Sequence, residues 1–264
     1  MIVWENAWYE PHQSARMLHV YLPDWYYDTA ERFPVMYFFD GHNLFFDENA
    51  TYGRSWRLTG FLDNWEKPMI VVGVECSHVE GERESEYMPY EHGPNSKWGT
   101  ESLGQQTLLW LEGVVKPFID GRFRTWPHRE ATGIAGAELG GLMALYGVIC
   151  HNKTFGKAAA LSSGTRFFER DLTMSLLTNE ISPDTRVYLS WGEHDAGRHY
   201  RSGRYFDPRF DSAEALSTWA IAEELELRGA ITHVHYRRTK WRYEADWDKQ
   251  VPRLMDFLWL NRER

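Results

Sequence analysis

A glutamate stands at the centre of a glycine-flanked segment, Gly136-Ala137-Glu138-Leu139-Gly140. Residues 131–135 before it predict a buried strand, and residues 140–146 after it predict the start of a closely packed helix. A strand, a sharp turn and a helix form the nucleophile elbow of Gly-x-Ser-x-Gly enzymes, whose central serine attacks acyl groups. The glycines let strand and helix approach closely while the central residue is held strained and exposed. The sequence therefore predicts Glu138 at the mouth of a pocket, on an elbow that lacks its serine.

The segments around this turn alternate between strand and helix patterns. Residues 34–39 and 69–74 are continuous apolar runs typical of buried strands, and residues 17–22 alternate as an outer strand. Further strands are predicted at residues 131–135, 157–162, 186–191 and 231–236, and helices at residues 103–119, 142–150, 213–228 and 248–260. This alternation predicts an α/β fold with a mostly parallel central sheet and helices on both faces. Residues 76–99 predict a long loop over the carboxyl ends of the strands, where such sheets bind ligands.

Composition and charge limit the classes of partner. The chain has 264 residues, of which 38 are acidic and 29 basic, and its net charge is −9 at pH 7. This acidic excess argues against nucleic acid or an anionic membrane surface, because both attract basic patches. We expect one domain over residues 1–264. The expected partner is a small-molecule ligand in the pocket or another protein, and a homo-oligomer is left open.

Neither the start of the chain nor its cysteines indicate export. The first residues lack the basic and apolar regions of a signal peptide, and no apolar run is long enough to span a membrane. Cys76 and Cys150 are too few and too far apart for a disulfide framework or a thiolate metal site. We therefore expect a cytoplasmic protein with two free thiols, and neither a cofactor nor a metal site.

Five segments of the chain together resemble a known family. They are Tyr21-Leu22-Pro23, residues 33–43 with Asp40-Gly41-His42-Asn43 at their end, Glu86-Tyr87-Met88-Pro89, the elbow, and Glu244-Ala245-Asp246-Trp247. Their order is similar to that of the putative esterase (esterase D-like) family of α/β hydrolases, over nearly the whole chain. The resemblance implies the α/β-hydrolase fold and serine esterases of feruloyl, acetyl, siderophore or thioester substrates, with some acyltransferases. It also implies an oxyanion and pocket region of Gly41, His42, Asn43 and Leu139.

The resemblance assigns three positions to the catalytic triad of the family. The serine position holds Glu138, and the histidine position, at the start of residues 242–247, holds Arg242. The acid position matches Asp195 in the segment Gly192-Glu193-His194-Asp195. One triad member of three therefore survives.

The substitutions remove the chemistry of a serine esterase. Ester hydrolysis needs a nucleophile, a base to take its proton, and donors for the oxyanion. Arg242 stays protonated at any working pH and cannot accept that proton. Glu138 could attack as a carboxylate, but its covalent intermediate would then need a base to activate water. Because nucleophile and base act as a unit, their loss removes roughly a million-fold in rate. The sequence predicts no meaningful serine-type esterase activity.

The two substitutions are complementary in charge. Serine and histidine touch in a working triad, so Glu138 and Arg242 are expected to form a charge-assisted pair, with Asp195 as a second carboxylate on the guanidinium. Such a pair would stabilise a carboxylate on a partly desolvated elbow. If the pair is buried, truncating Arg242 is expected to cost about 3–5 kcal/mol of stability.

Other side chains offer alternative chemistry, and each also has an ordinary structural explanation. His42 could act as a new base, although in the family its loop mainly supplies backbone N–H groups. Cys76 and His78 could form a nucleophilic couple, although they are more often mere neighbours in a loop. His194 and His199 could bind a metal together with Glu193, Asp195 or Glu138. Arg198, Arg201 and Arg204 could bind an anion, although a solvated loop also explains them.

Two functions from different classes follow. The favoured one is a non-hydrolytic pseudoenzyme that binds a small ligand or a partner. The alternative is a carboxylic-ester hydrolase or acyltransferase that uses Glu138 and Asp195 as acid and base. Such an enzyme needs the pKa of one carboxyl raised toward neutrality, whereas Arg242 beside both should lower it. That electrostatic argument favours the pseudoenzyme.

Overall fold

One eight-stranded sheet forms the centre of the computed structural model, which describes residues 1–92, 101–193, 195, 207, 209–238 and 247–262. The strands are β1 Ile2–Tyr9, β2 Ser14–Tyr21, β3 Val35–Phe39, β4 Ile70–Val74, β5 Thr132–Ala137, β6 Lys157–Leu161, β7 Arg186–Gly192 and β8 Ile231–Arg237. Their order in the sheet is β1-β2-β4-β3-β5-β6-β7-β8. The pairs β1·β2 and β2·β4 are antiparallel, and the other five are parallel. The predicted mostly parallel sheet is confirmed.

Helices connect the parallel strands. They are α1 Leu58–Leu62, α2 Glu82–Glu86, α3 Gly104–Trp110, α4 Lys116–Arg122, α5 Leu139–Cys150, α6 Thr165–Thr178, α7 Ala213–Leu227 and α8 Val251–Met255. The single helix predicted at residues 103–119 is α3 and α4 joined by a π-helical turn over Leu111–Val115. In the described part of the chain, no helix is both long and apolar enough to cross a membrane.

The period of two along the central strands divides the core between the two faces of the sheet. In β3, Tyr37 and Phe39 pack into one apolar cluster, and Met36 and Phe38 pack into the other. The first cluster includes residues of α3, α5, α6 and α7, and the second includes residues of α1 and α8. Because both faces are covered, β3 and β4 are buried along their whole length, as their continuous apolar runs predict. The prediction of helices on both faces is confirmed.

Four elements, β1, α1, α2 and α6, were not predicted from the sequence. The edge strand β1 pairs with β2 along its full length, but only its second half shows alternating burial. The helix α6 buries Phe168, Leu172 and Leu176, a four-residue spacing that its many charged residues obscure. The short helix α2 lies inside the segment 76–99, which the sequence predicts as a loop. Its Glu-Arg-Glu-Ser-Glu sequence has no apolar period, so tertiary contacts rather than local pattern fix it.

Candidate functional site

The turn between β5 and α5 has the geometry of a nucleophile elbow. The backbone of Glu138 has φ 53° and ψ −121°, a conformation that residues other than glycine rarely adopt. Its backbone N–H donates to the carbonyl of Leu161, and its own carbonyl accepts from Leu142. A Cβ added to Gly136 would lie 2.4 Å from the carbonyl carbon of Gly140, so only glycine permits this approach. The glycine spacing in the sequence is therefore a steric requirement of the turn.

Two cavities meet at the Glu138 side chain. One has a volume of about 270 Å³ and the other about 310 Å³, and Arg83, Glu84 and Glu138 border both. The first cavity is also lined by His42, Asn43, His78, Trp56 and Trp247. The second is also lined by Leu139, Ser162, Ser163, Asp195 and Glu214. The structure thus places Glu138 between two cavities, with His42 and Asn43 on one side and Leu139 and Asp195 on the other.

The predicted oxyanion loop follows β3 directly. Gly41, His42 and Asn43 form a buried 3₁₀ turn. Gly41 packs against β4, where a Cβ on it would lie 2.4 Å from the carbonyl carbon of Gly73. His42 and Asn43 line the first cavity, whereas Leu139 follows the elbow and lines the second. Gly41 therefore positions the loop, and its two neighbours reach the cavity.

An ion pair beside Glu138 was missed from the sequence. The guanidinium of Arg83 donates from Nε and Nη2 to the two carboxylate oxygens of Asp40, both at 2.8 Å. Asp40 is 7% exposed and follows β3, whereas Arg83 belongs to α2, 43 residues further along the chain. Burial would raise the pKa of Asp40, but the Arg83 guanidinium brings it below its usual value. Asp40 is therefore a charged partner that holds Arg83 at the boundary of both cavities.

The pKa of Glu138 is shifted in the direction opposite to the one expected from the sequence. Burial raises the pKa of this carboxyl above its usual value. Arg83 opposes the rise, while the carboxylates of Asp40, Asp195 and Glu84 add to it. The predicted partner Arg242 lies outside the described residues, so the Glu138–Arg242 pair stays a prediction. In this structure the pKa of Glu138 moves in the direction that the alternative, enzymatic function requires.

Replacing Glu138 by glutamine is expected to stabilise the protein at pH 8 and to have little effect near pH 4. A carboxyl whose pKa rises on folding adds stability below its unfolded pKa, about 4.3, and this stability is lost as pH rises through the folded pKa. The amide does not ionise, so the advantage of Glu138→Gln should grow with pH. It should reach about 1.4 kcal/mol for each unit of the pKa rise.

Urea denaturation of both proteins at pH 4 and pH 8 measures this difference. An ion pair with Arg242 strong enough to lower the pKa of Glu138 would reverse the sign, because the carboxylate would then stabilise the folded state at neutral pH. Loss of stability in Glu138→Gln at pH 8 would therefore support the pair and contradict the raised pKa.

Asp195 lies in the second cavity and is tied to its own turn. Its Oδ2 accepts from the backbone N–H of Gly192 at 2.7 Å, and its backbone N–H donates to the Gly192 carbonyl. Its carbonyl accepts from the Arg166 guanidinium. Asp195 thus lines the second cavity together with Glu138, and its assignment to the acid position of the family stays a prediction. The histidines and arginines proposed as metal or anion ligands, His194, His199, Arg198, Arg201 and Arg204, lie outside the described residues.

A second buried carboxylate was also missed. Glu214, at the start of α7, is fully buried and accepts from the backbone N–H and the hydroxyl of Thr165 at 2.9 and 3.1 Å. Arg166 Nη1 lies 3.3 Å from the other carboxylate oxygen. Burial raises the pKa of Glu214 despite the opposing effect of Arg166. Glu214 therefore caps the start of α6 and forms part of the floor of the second cavity.

The alternative nucleophile–base couple of Cys76 and His78 is not formed, whereas a base role of His42 stays a prediction. The buried thiol of Cys76 donates to Asp40, and burial followed by the Asp40 charge raises its pKa, which disfavours the reactive thiolate. His78 instead lies beside Glu75, with Nε2 and Oε2 3.4 Å apart. His42 hydrogen-bonds through Nε2 with the Thr51 hydroxyl. The proposed Cys76–His78 couple is therefore wrong: each side chain has another polar neighbour.

Comparison with known proteins identifies the family. Residues 12–255 match the family described as "Putative esterase". The chain belongs to this family. This esterase-family protein is 25% identical over 190 residues to the "Uncharacterized protein YbbA" of Bacillus subtilis (strain 168), which covers 71% of each chain. The resemblance recognised in the sequence is thereby confirmed.

Solved structures of similar shape support the same fold. An IroE-like serine hydrolase from Shewanella oneidensis superposes with a TM-score of 0.71 at 16% identity, covering 94% of this chain and 76% of the other. The BES protein from Bacillus cereus gives 0.70 at 15% identity, covering 97% and 95%. The siderophore hydrolase EstA from Aspergillus nidulans gives 0.68 at 14% identity, covering 99% and 95%. At these identities the likeness shows the hydrolase fold, and the activity must be argued from the site.

Proposed function

We propose that this esterase-family protein binds a ligand beside Glu138 and does not hydrolyse esters as a serine enzyme. The observation that carries the proposal is the elbow itself, which presents Glu138 in the strained nucleophile conformation at the meeting point of two cavities. The scaffold therefore keeps a shaped site while its central residue has changed. With arginine at the histidine position, no base remains there to activate a serine-like attack.

The charges around the site favour a neutral polar or cationic ligand. Arg83 is occupied by Asp40 and Arg166 lies beside Glu214, so these four side chains largely cancel in pairs. Among the described residues that line the cavities, Glu138, Glu84 and Asp195 then leave an acidic excess. An anionic ligand would meet like charges there, whereas hydrogen-bond donors of a neutral or cationic ligand would meet carboxylate acceptors.

Aromatic side chains add an apolar surface to the first cavity. Trp56 and Trp247 line its wall, with ring centroids 5.7 Å apart. An indole face packs against rings and CH-rich surfaces and attracts cations placed above it. The combined chemistry suits a small ligand with one flat or CH-rich face and several hydrogen-bond donors.

The second candidate is an acid–base hydrolase or acyltransferase that uses Glu138 and Asp195. One specific observation favours it: the pKa of Glu138 is raised by burial, as a general acid requires. Asp195 lines the second cavity with Glu138 and is one of the charges that raise this pKa. With Glu138 as the acid, Asp195 would have to act as the base that activates the attacking water.

Two measurements on the unmodified protein test the proposal. Chromogenic acetyl and aryl esters should be hydrolysed at the background rate by the protein and by Glu138→Gln alike. Tryptophan fluorescence titrations with neutral, cationic and anionic aromatic probes should show binding of the first two classes and little of the third. Ester turnover that disappears in Glu138→Gln would make the glutamate catalytic and replace the proposal by the second candidate.

A further inference from the structure

Three side chains with metal-ligand chemistry meet at one edge of the sheet. His42 lies in the turn after β3, Glu75 directly follows β4, and His78 lies three residues beyond Glu75. Because β3 and β4 are parallel neighbours, their carboxyl ends lie side by side and bring these segments together. Each of the three residues offers a ligand atom, and the three atoms lie within 4.8 Å of one another.

One ring nitrogen of this cluster is buried without a partner. His42 is 7% exposed, and its Nε2 hydrogen-bonds with the Thr51 hydroxyl at 3.0 Å. Its Nδ1 is buried and has no hydrogen-bond partner in the part of the chain that the structure describes. An unpaired buried ring nitrogen costs free energy unless something else binds it. The edge of the His42 ring meets the His78 ring, with centroids 4.9 Å apart.

The carboxylate between the histidines is oriented from the other side. Glu75 Oε1 accepts from Nε2 of His19 at 2.7 Å, and His19 is only 2% exposed. The second oxygen, Oε2, takes no part in the hydrogen bond with His19 and lies 3.4 Å from Nε2 of His78. Metal ligands in proteins characteristically have such outer partners, which hold one atom and aim the other at the ion. Thr51 does this for His42, and His19 does it for Glu75.

We propose that His42 Nδ1, Glu75 Oε2 and His78 Nε2 bind a divalent transition-metal ion, with zinc as the best fit. Two imidazoles and one carboxylate form a three-ligand set that tetrahedral zinc accepts, with water or a ligand at the fourth position. Zinc bonds of about 2.0–2.2 Å place tetrahedral ligand atoms about 3.3–3.5 Å apart, which the Glu75–His78 separation already matches. The side chain of His78 is 64% exposed and can rotate to close the remaining distance to His42.

This site departs from the sequence analysis, which predicts no metal. The proposed function includes no metal, so this site goes beyond it. The two are neighbours, because His42 and His78 line the same cavity as Glu138. A metal there would offer a Lewis-acidic position to an oxygen or nitrogen donor of the bound ligand. Magnesium and calcium fit less well, since both prefer six or more oxygen ligands.

A neighbouring cluster of similar composition does not make a second site. His12, Glu82 and Glu86 also bring three ligand atoms together. Here, however, the buried guanidinium of Arg16 pairs with Glu86, whose other oxygen accepts from the backbone N–H of Ser77. A cation would meet the charge of Arg16 and would find Glu86 already satisfied. The two clusters therefore differ in the one feature that matters, an available ligand atom.

Calorimetric titration of chelator-treated, dialysed full-length protein with zinc chloride tests the proposal. One ion should bind per chain, and His78→Ala and Glu75→Gln should each weaken the affinity at least about ten-fold. His128→Ala is the matched control. It too removes an exposed histidine paired with a nearby glutamate, Glu130 at 2.9 Å, and it should leave the affinity unchanged.

Absence of zinc binding by the unmodified protein would overturn the proposal. Binding that is equally strong in His78→Ala and Glu75→Gln would overturn it as well, because the ion would then bind elsewhere. Substitution of cobalt for zinc gives a second readout: a tetrahedral N/O site should produce visible d–d absorption that both variants lose. Neither readout depends on ester hydrolysis or ligand binding, so the metal site and the proposed function can fail separately.

Discussion

The double variant Glu138→Ser with Arg242→His is expected to hydrolyse aryl esters at least about 100-fold faster than the unmodified protein. The elbow already holds residue 138 in the nucleophile conformation, so a serine placed there inherits the required backbone geometry. Asp195, the residue predicted to match the acid of the family, follows β7 and lines the second cavity. We expect a gain below the full contribution of a triad, because a misplacement of about 1 Å in the serine or the histidine can cost about 100-fold in rate.

Initial rates on acetyl and feruloyl esters measure this gain, with the two single variants as controls. Because nucleophile and base act as a unit, Glu138→Ser alone and Arg242→His alone should both stay near the unmodified rate. A folded double variant that remains at background would contradict the idea that this site is a dismantled esterase. Equal activity of Glu138→Ser and the double variant would show that residue 242 does not serve as the base.

Replacing Arg83 by methionine is expected to destabilise the fold by about 3–5 kcal/mol at neutral pH. The change removes both 2.8 Å hydrogen bonds to Asp40 and leaves that carboxylate charged and 7% exposed. Methionine keeps most of the side-chain volume, so the loss reports the missing charge rather than a cavity. Arg83 also lowers the pKa of Glu138, and its removal should therefore raise that pKa further.

A double-mutant cycle isolates the pair from the rest of α2. Urea denaturation of Arg83→Met, Asp40→Asn and the double variant should show that the double variant loses less than the sum of the singles. The exposed pair Arg57–Asp47, at 2.9 Å, is the matched control, and Arg57→Met should leave the stability nearly unchanged because solvent screens an exposed ion pair. A loss in Arg83→Met as small as in Arg57→Met would contradict a buried, structurally required pair.

The helices α2 and α6 were missed in the sequence analysis for one shared reason. The start of α6 is capped by Glu214, 49 residues away, so the residues next to the helix start carry no capping signal for it. The helix α2 has no apolar period of its own. In both cases long-range contacts overrode a weak local pattern. Central strands such as β3 and β4 were located within a residue or two because their burial on both faces requires a continuous apolar run.

The pKa of Glu138 is likewise set by long-range contacts rather than by the local sequence. The sequence shows which residue stands at the elbow, but the pKa of Glu138 depends on its burial and on Arg83, Asp40, Asp195 and Glu84. All four side chains come from segments more than 50 residues away in the chain. The sequence analysis considered only Arg242 as a partner and expected a lowered pKa for Glu138, whereas burial raises this pKa in the structure.

The sequence by itself determined the α/β fold, the family and the elbow with its glutamate. Each of these is encoded in contiguous residues: apolar period in the strands, and glycine where Gly136 and Gly140 approach too closely for a side chain. Only the tertiary structure decided which charges surround Glu138 and which ligand atoms meet at His42, Glu75 and His78. Those neighbours come from separate strand ends, and their contacts depend on strand order, which is set by packing of the whole sheet.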